Sequence, residues 1–191
     1  MKEEQIVSSA KKLFTTYGYK RVSMDEIAKE ANVTKKTIYS YFKSKEELLK
    51  FLVNQEILNM KKIADKIEDE NIPYFENVHN VVYSLIEYKA KSNFLNSITK
   101  EYQIFSNITI LDCLKQIDAE INEYISKKLK EAIRKKYIIE IDTDMTAFII
   151  YKMYISLMFE FNEKKINKQK LADVIVKILK DGLERKDDKV E

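Results

Sequence analysis

The chain has 191 residues, 45% of them hydrophobic, and a formal charge of +3. That is enough apolar material for a buried core, in one domain or in a small domain joined to a larger one, and it argues against global disorder. A single cysteine, Cys113, excludes an internal disulfide framework and a cysteine-cluster zinc site, and two glycines with one proline favour long helices on short joints over hairpins.

The segment Met1–Gln5 leads straight into an amphipathic stretch without a secretory pattern. The most apolar run, Met145 to Phe161, is short for a membrane span and is interrupted by Lys152 and Glu160. A cytoplasmic protein without membrane contact is expected. The charge is uneven: residues 1–50 hold ten Lys and one Arg against six Glu and one Asp, a balance of +4, and the rest sum to −1. A basic head on a near-neutral body suits a polyanion, although on charge alone a solvated lysine-rich surface is the better explanation.

In chain order, Ile6, Ala10, Leu13, Phe14 and Tyr17 share one face of a helix over about Lys2–Tyr17, with Gly18 placed to end it. Ser23-Met24-Asp25-Glu26 reads as a capping box opening a second helix that ends near Ala31-Asn32. Thr34 is a plausible N-cap for a third helix reaching about Phe42, and Ser44-Lys45-Glu46-Glu47 is a second capping box for a long fourth. Asn71-Ile72-Pro73 breaks that pattern. Helical spacing then marks a fifth helix (Phe75, Val78, Val82, Leu85), a sixth over about Phe94–Phe105 and a seventh from Leu111 to Ile133. An eighth starts near Asp142-Thr143 and is apolar on most sides through Phe161. A ninth runs from about Lys168 to Asp181, with Leu171, Val174, Ile175, Ile178 and Leu179 inward, Gly182 as its stop and a charged tail from Glu184 to Glu191.

On a helical wheel, Ile38 and Phe42 fall on the packed side of the third helix. Lys36, Thr37, Ser40 and Tyr41 fall opposite, with Lys35 and Tyr39 on the flank. The outward face thus carries an ammonium, hydroxyls and an aromatic ring, groups able to meet phosphates and base edges. A tight turn separates this helix from the second, the arrangement of a helix-turn-helix. The N-termini of the second and fourth helices present free N–H groups, and Ser23 and Lys45 stand there, suited to flanking phosphates.

These residues resemble the DNA-binding domain of the tetracycline-repressor (TetR) family of bacterial transcriptional regulators. The resemblance covers about Ile6 to Leu49. It rests on Ala10-x-x-Leu13-Phe14, Gly18-Tyr19, Ser23-Met24-x-x-Ile27-Ala28, Ala31-Asn32-Val33-Thr34 and Thr37-Ile38-Tyr39-x-Tyr41-Phe42-x-x-Lys45-x-x-Leu48. It implies an all-α subunit of about nine helices, with a DNA-binding helix-turn-helix domain over 1–49 and an effector-binding and dimerisation domain over 50–191. It also implies a homodimer through the last two helices, an operator of double-stranded DNA, and a small-molecule effector enclosed by helices four to seven. Carried over by position, Lys35, Lys36, Thr37 and Tyr41 face the groove, while Ser23, Tyr39 and Lys45 hold the phosphate backbone. Two positions depart from common members: Asn32, where glycine is frequent, and Tyr41, where histidine is frequent. Asparagine tolerates the left-handed conformation a glycine would supply.

The reading is a dimeric, ligand-responsive regulator, a repressor released from a palindromic operator by a small molecule. The alternative is an architectural or partner-recruiting DNA-binding protein without an effector. The effector-pocket candidates are Tyr83, Tyr88, Phe94, Tyr102, Phe105, Cys113, Gln116 and Met153, each of which would also serve as plain core. No catalytic residue, cofactor or metal is expected: His79 and Cys113 are far apart in sequence, and neither a glycine-rich phosphate loop nor a histidine pair occurs. Asp118, Glu120 and Glu101 are expected to be solvated charges on helix surfaces.

Overall fold

The computed structural model describes residues 2–69, 71–105, 108–159 and 167–185, with the side chains of residues 102–105, 108–117 and 158–159 excepted. Nine helices lie among these residues: α1 Lys2–Tyr17, α2 Met24–Glu30, α3 Lys35–Tyr41, α4 Lys45–Ile67, α5 Tyr74–Lys91, α6 Asn93–Phe105, α7 Ile108–Arg134, α8 Thr143–Phe159 and α9 Lys168–Leu183. The all-helical expectation holds; the one β pairing among the described residues is an isolated antiparallel bridge between Ile138 and Glu184.

Two compact units divide the chain, Met1–Lys62 with Tyr88–Gln116, and Ile63–Glu87 with Ile117–Glu191. In the first, α1 packs on α2 and on α6, and α2 packs on α3. Ile6, Ala10 and Phe14 of α1 are buried at the four-residue spacing that puts them on one helical face. They are joined in the interior by Ile27, Ala28, Ile38, Phe42, Leu48, Leu49 and Leu52. Tyr17, expected on the same face as Phe14, is instead exposed, because α1 ends there.

Helix ends follow local chemistry. Gly18 has φ +84° and its N–H reaches the Phe14 carbonyl at 3.0 Å. At the end of α2, Asn32 takes φ +52°, its N–H bonds Lys29 O at 3.2 Å, and Val33 N–H bonds Ala28 O at 2.9 Å. That pair of bonds is a Schellman motif, with asparagine standing where glycine is usual. The end of α7 repeats it with Lys136 at φ +61°, Lys136 N–H on Ile133 O and Tyr137 N–H on Ala132 O, both 2.9 Å.

In the second unit one core cluster joins Phe75, Leu129, Ala132, Ile138, Ala147 and Val176, and another joins Ile86, Ala172 and Ile175. Tyr74 stacks on Tyr137 with ring centroids 5.1 Å apart, and burial pushes its hydroxyl up to about 12. Two expectations for α9 fail here. Val174 and Ile178 are exposed rather than inward, as are Met145, Phe148 and Ile149 of α8. A helix apolar on most of its surface, as α8 is, cannot bury every side chain against the neighbours in its own chain. Gly182 does not stop α9, which runs on to Leu183 and is capped by Glu184. Phe161 and the tail beyond Arg185 lie outside the described residues.

Candidate nucleic-acid interface

The predicted platform is built from three local devices. Ser23 caps α2 through the anticipated box: its Oγ accepts from Glu26 N–H at 3.2 Å while Glu26 Oε2 accepts from Ser23 N–H at 2.7 Å. The Ser23 hydroxyl, at 2.7 Å, is the first of the causes that hold the Glu26 carboxyl below its ordinary range. Thr34 caps α3, accepting from Thr37 N–H at 3.2 Å. At the start of α4 the box is altered. Ser44 Oγ accepts from Glu47 N–H at 3.1 Å, but the Glu47 carboxylate returns to Lys43 N–H, at 2.7 Å.

On this platform α3 turns Ile38 fully inward, with Phe42 buried just beyond its end. Lys36 and Ser40 are exposed, and Tyr39 and Tyr41 expose 42% and 43% of their surfaces. Thr37 is half-buried, with its hydroxyl 2.9 Å from that of Thr34. Ser40 Oγ donates to Thr37 O at 2.7 Å. The first turn of α3 carries Lys35 and Lys36 and no acid. Two ammonium groups at the positive end of a helix dipole are unfavourable for the helix alone and concentrate positive potential where an outside anion would relieve it.

The seven predicted contact residues do not share one state. Lys35 pairs with Asp25 of α2 at 2.9 Å, and that bond raises its pKa. Both partners are more than half exposed, so the pair is readily exchanged for a phosphate. Ser23 is exposed but already engaged with Glu26, whose carboxylate sits where an anion would approach the start of α2.

Lys45 differs most from expectation. Its ammonium donates to Tyr19 O at 3.0 Å and Val22 O at 2.8 Å and lies 4.4 Å from the centroid of the Tyr19 ring. Two of its three donors are thereby given to the α1–α2 turn. Residue type and helix position suggested a phosphate ligand; the direction of the side chain was not readable from them.

Glu101 was missed altogether. Expected as a solvated charge, it is 7% exposed, and its two oxygens accept from Tyr19 N–H at 2.6 Å and Lys20 N–H at 2.7 Å. Asp118 is likewise engaged, taking Tyr151 OH and Lys152 Nζ at 2.6 Å each. Glu120 lies on the helix surface, as expected.

The effector-pocket candidates fall in different settings. Tyr83 and Met153 pack against the Ile86–Ala172–Ile175 cluster. Phe94 is 2% exposed in the first unit. Tyr88 donates to Glu56 at 2.8 Å, a carboxylate that also takes Lys11 Nζ at 2.6 Å. Burial raises the Tyr88 hydroxyl to about 12. The side chains of Tyr102, Phe105, Cys113 and Gln116 lie outside the described residues. His79 is bonded to Asp173 at 2.8 Å. Among the described residues no group of His, Cys and acidic side chains could hold a metal ion, and no helix is long and apolar enough to cross a membrane.

Comparison with known proteins agrees with this geometry. Residues 6–52 match the model of the family described as bacterial regulatory proteins, tetR family. The uncharacterised helix-turn-helix transcriptional regulator YhgD of Bacillus subtilis is 30% identical over 184 residues, spanning 95% of this chain and 96% of that protein. A Clostridium perfringens structure described as a candidate fatty acid metabolism regulator is 29% identical, covers 95% of this chain and 100% of its own, and superposes with a TM-score of 0.67. A TetR-family regulator from Syntrophomonas wolfei, 22% identical, shares the fold with a TM-score of 0.77 over 94% of this chain and 93% of its own.

The chain is a DNA-binding transcriptional regulator with a helix-turn-helix, and it belongs to the TetR family.

Proposed function

We propose that the protein acts as a homodimer that represses transcription from a palindromic operator and is released by a small apolar effector. The carrying observation is the two-sidedness of α3: Ile38 is fully buried while Lys36 and Tyr41 face solvent. In this reading residues 1–49 bind DNA and residues 50–191 bind the effector and the second subunit. Lys35, Lys36, Thr37 and Tyr41 enter the major groove. Tyr39 and the third donor of Lys45 take flanking phosphates, and Ser23 takes one by turning its hydroxyl away from Glu26. Two copies of α3 about 34 Å apart would meet successive major grooves on one side of the duplex.

Dimerisation is supported by the exposed apolar side chains Met145, Phe148 and Ile149 of α8 and Val174 and Ile178 of α9. Large apolar groups left in water on two neighbouring helices favour a covering partner. In a two-fold dimer the same patch on a second copy would cover it. The effector shifts the population towards a form whose two heads do not fit the operator, which requires that it bind that form more tightly. The fatty acid metabolism regulator among the related structures makes long-chain acyl compounds the first effector class to test.

The direct experiment selects duplexes from a random library with the full-length protein and repeats the selection with acyl compounds present. The reading expects one enriched palindrome, salt-sensitive binding and loss of binding with an effector. A library returned without enrichment contradicts operator recognition. Enrichment of dispersed sites that no ligand releases favours an architectural protein instead.

A further inference from the structure

The turn Gly18–Ser23 joins α1 to α2, and so fixes where α2 begins, the helix on which α3 packs. Its backbone is held from two sides. Below it, α4 supplies Lys45, whose ammonium takes the carbonyls of Tyr19 and Val22 at 3.0 and 2.8 Å. Glu46 of the same helix accepts from the Tyr19 hydroxyl at 3.1 Å. From the other side α6 supplies Glu101, whose Oε2 and Oε1 accept from the consecutive amides of Tyr19 and Lys20 at 2.6 and 2.7 Å. The same helix reaches the end of α1, where Ser97 Oγ donates to Phe14 O at 3.1 Å.

The fit around Glu101 is close. A Cβ built on Gly18 would stand 2.9 Å from Glu101 Oε2, and Gly18 also holds φ +84°. Residue 18 must therefore be small both to adopt its backbone conformation and to admit the carboxylate. Glu101 is 7% exposed, and a carboxylate so enclosed is tolerable only when its oxygens are met by donors. Here the donors are main-chain groups of the head, while the acceptor lies 82 residues away in the chain. Glutamine at position 101 has nearly the same shape, but it offers one oxygen and sets an amide N–H against the second backbone N–H.

We infer that Glu101 is a positioning residue for operator recognition: it sets the α1–α2 turn, and with it the direction of α2 and α3, without touching DNA. This rests on the reading that α3 enters the major groove. Specific binding needs α3 at a defined place and angle. Non-specific binding is an electrostatic attraction to phosphates that tolerates displacement of the head. Loss of positioning therefore lowers the first and spares the second.

The test uses full-length Glu101→Gln, Glu101→Asp and wild type, with the duplex enriched by wild type and a scrambled duplex at one salt concentration. For Glu101→Gln the inference expects at least a tenfold loss on the enriched duplex, less than a twofold change on the scrambled one, retained helical content, and faster amide exchange at Tyr19 and Lys20. Wild-type specificity in Glu101→Gln, or an equal loss on both duplexes in folded protein, overturns it. If Glu101→Gln does not fold, Glu101→Asp decides. It keeps both oxygens on a shorter stem, so the specific-to-scrambled ratio should drop about threefold in protein that still unfolds as one cooperative species; an unchanged ratio overturns the inference. A Lys36→Ala control separates the two claims, since failure of that variant to weaken binding to either duplex removes the α3 reading itself.

Discussion

Lys45 and Tyr19 are joined twice, by a 3.0 Å hydrogen bond from the ammonium to the Tyr19 carbonyl and by the ammonium lying 4.4 Å from the centroid of the tyrosine ring. Phe14 meets the same ring edge-on at 5.3 Å. Tyr19 is thus fixed at its N–H, its carbonyl, its ring and its hydroxyl, and the turn that launches α2 has no loose peptide at that position. Lys45→Met keeps the stem and deletes the charge. It should destabilise the protein by roughly 1.5–3 kcal/mol, the range for hydrogen bonds to a charged group. Urea unfolding followed by helical signal measures this, and a midpoint equal to wild type would mean that the ammonium is not holding the turn.

Lys36 makes the opposite case. It is exposed on the first turn of α3, so Lys36→Ala should leave stability within about 0.5 kcal/mol of wild type. Its effect belongs to DNA binding: affinity weakens, and the slope of log K against log salt falls by about one if the ammonium neutralises one phosphate. A titration of operator affinity over a range of salt concentrations reads both quantities.

The capping box at Ser23 gives a pH dependence of known sign. The Glu26 carboxyl is held below its ordinary value of 4.5, first by the Ser23 hydroxyl and next by the Ser23 N–H. A carboxyl depressed in the folded state contributes stability above its unfolded pKa, and the contribution disappears as pH falls through the folded pKa. Glu26→Gln should therefore be less stable than wild type at neutral pH, and the two should converge in acid below 4.5. Thermal melts across that pH range check it; a gap that persists in acid would show that the carboxylate charge is not the source.

Lys136 is a non-glycine residue at φ +61°, at the position after α7 that usually holds glycine. Left-handed backbone costs a residue with a Cβ about 1 kcal/mol or more. Lys136→Gly should raise stability by roughly 0.5–1 kcal/mol, offset in part by the greater chain entropy of unfolded glycine. Asn32→Gly should gain less, because asparagine already tolerates φ +52°. Parallel denaturation of the two variants tests the order of the gains.

Phe148 and Ile149 of α8 and Ile178 of α9 are the exposed apolar groups on which the proposed dimer depends. A charge placed among them, as in Ile149→Lys, would be buried unpaired in an apolar seam. Sedimentation of the full-length protein should show dimers for wild type and monomers for the variant at micromolar concentration. A wild-type monomer would assign those helices to another partner.

What the sequence disclosed was local. Ser23 three residues before Glu26, Asn32 after the last apolar residue of α2, and Ile38 at the inward register of α3 each carry their own reason within a few neighbours, and each stands in the structure as the pattern implied. Glu101 could not be read that way: its partners are 82 and 81 residues distant, and on α6 alone it looks like any polar residue on a helix. Lys45 stands at the expected helix end, but an ammonium suits a phosphate and a carbonyl alike, and its bonds to the Tyr19 and Val22 carbonyls, 26 and 23 residues away in the chain, could not be read from α4 alone. Val174 and Ile178 were expected inside because periodicity marks an apolar stripe without saying which body covers it.

The central claim is that α3 reads DNA with its outward face, and operator affinity of the protein lacking that face tests it most directly. Fluorescence anisotropy would compare wild type with the triple variant Lys36→Ala, Thr37→Ala, Tyr41→Ala on the duplex enriched by wild type, at one salt concentration. The account predicts binding weaker by about 100-fold or more, since each good base contact carries roughly 1–3 kcal/mol, with helical content and melting temperature preserved. Equal affinity in a folded triple variant would contradict it.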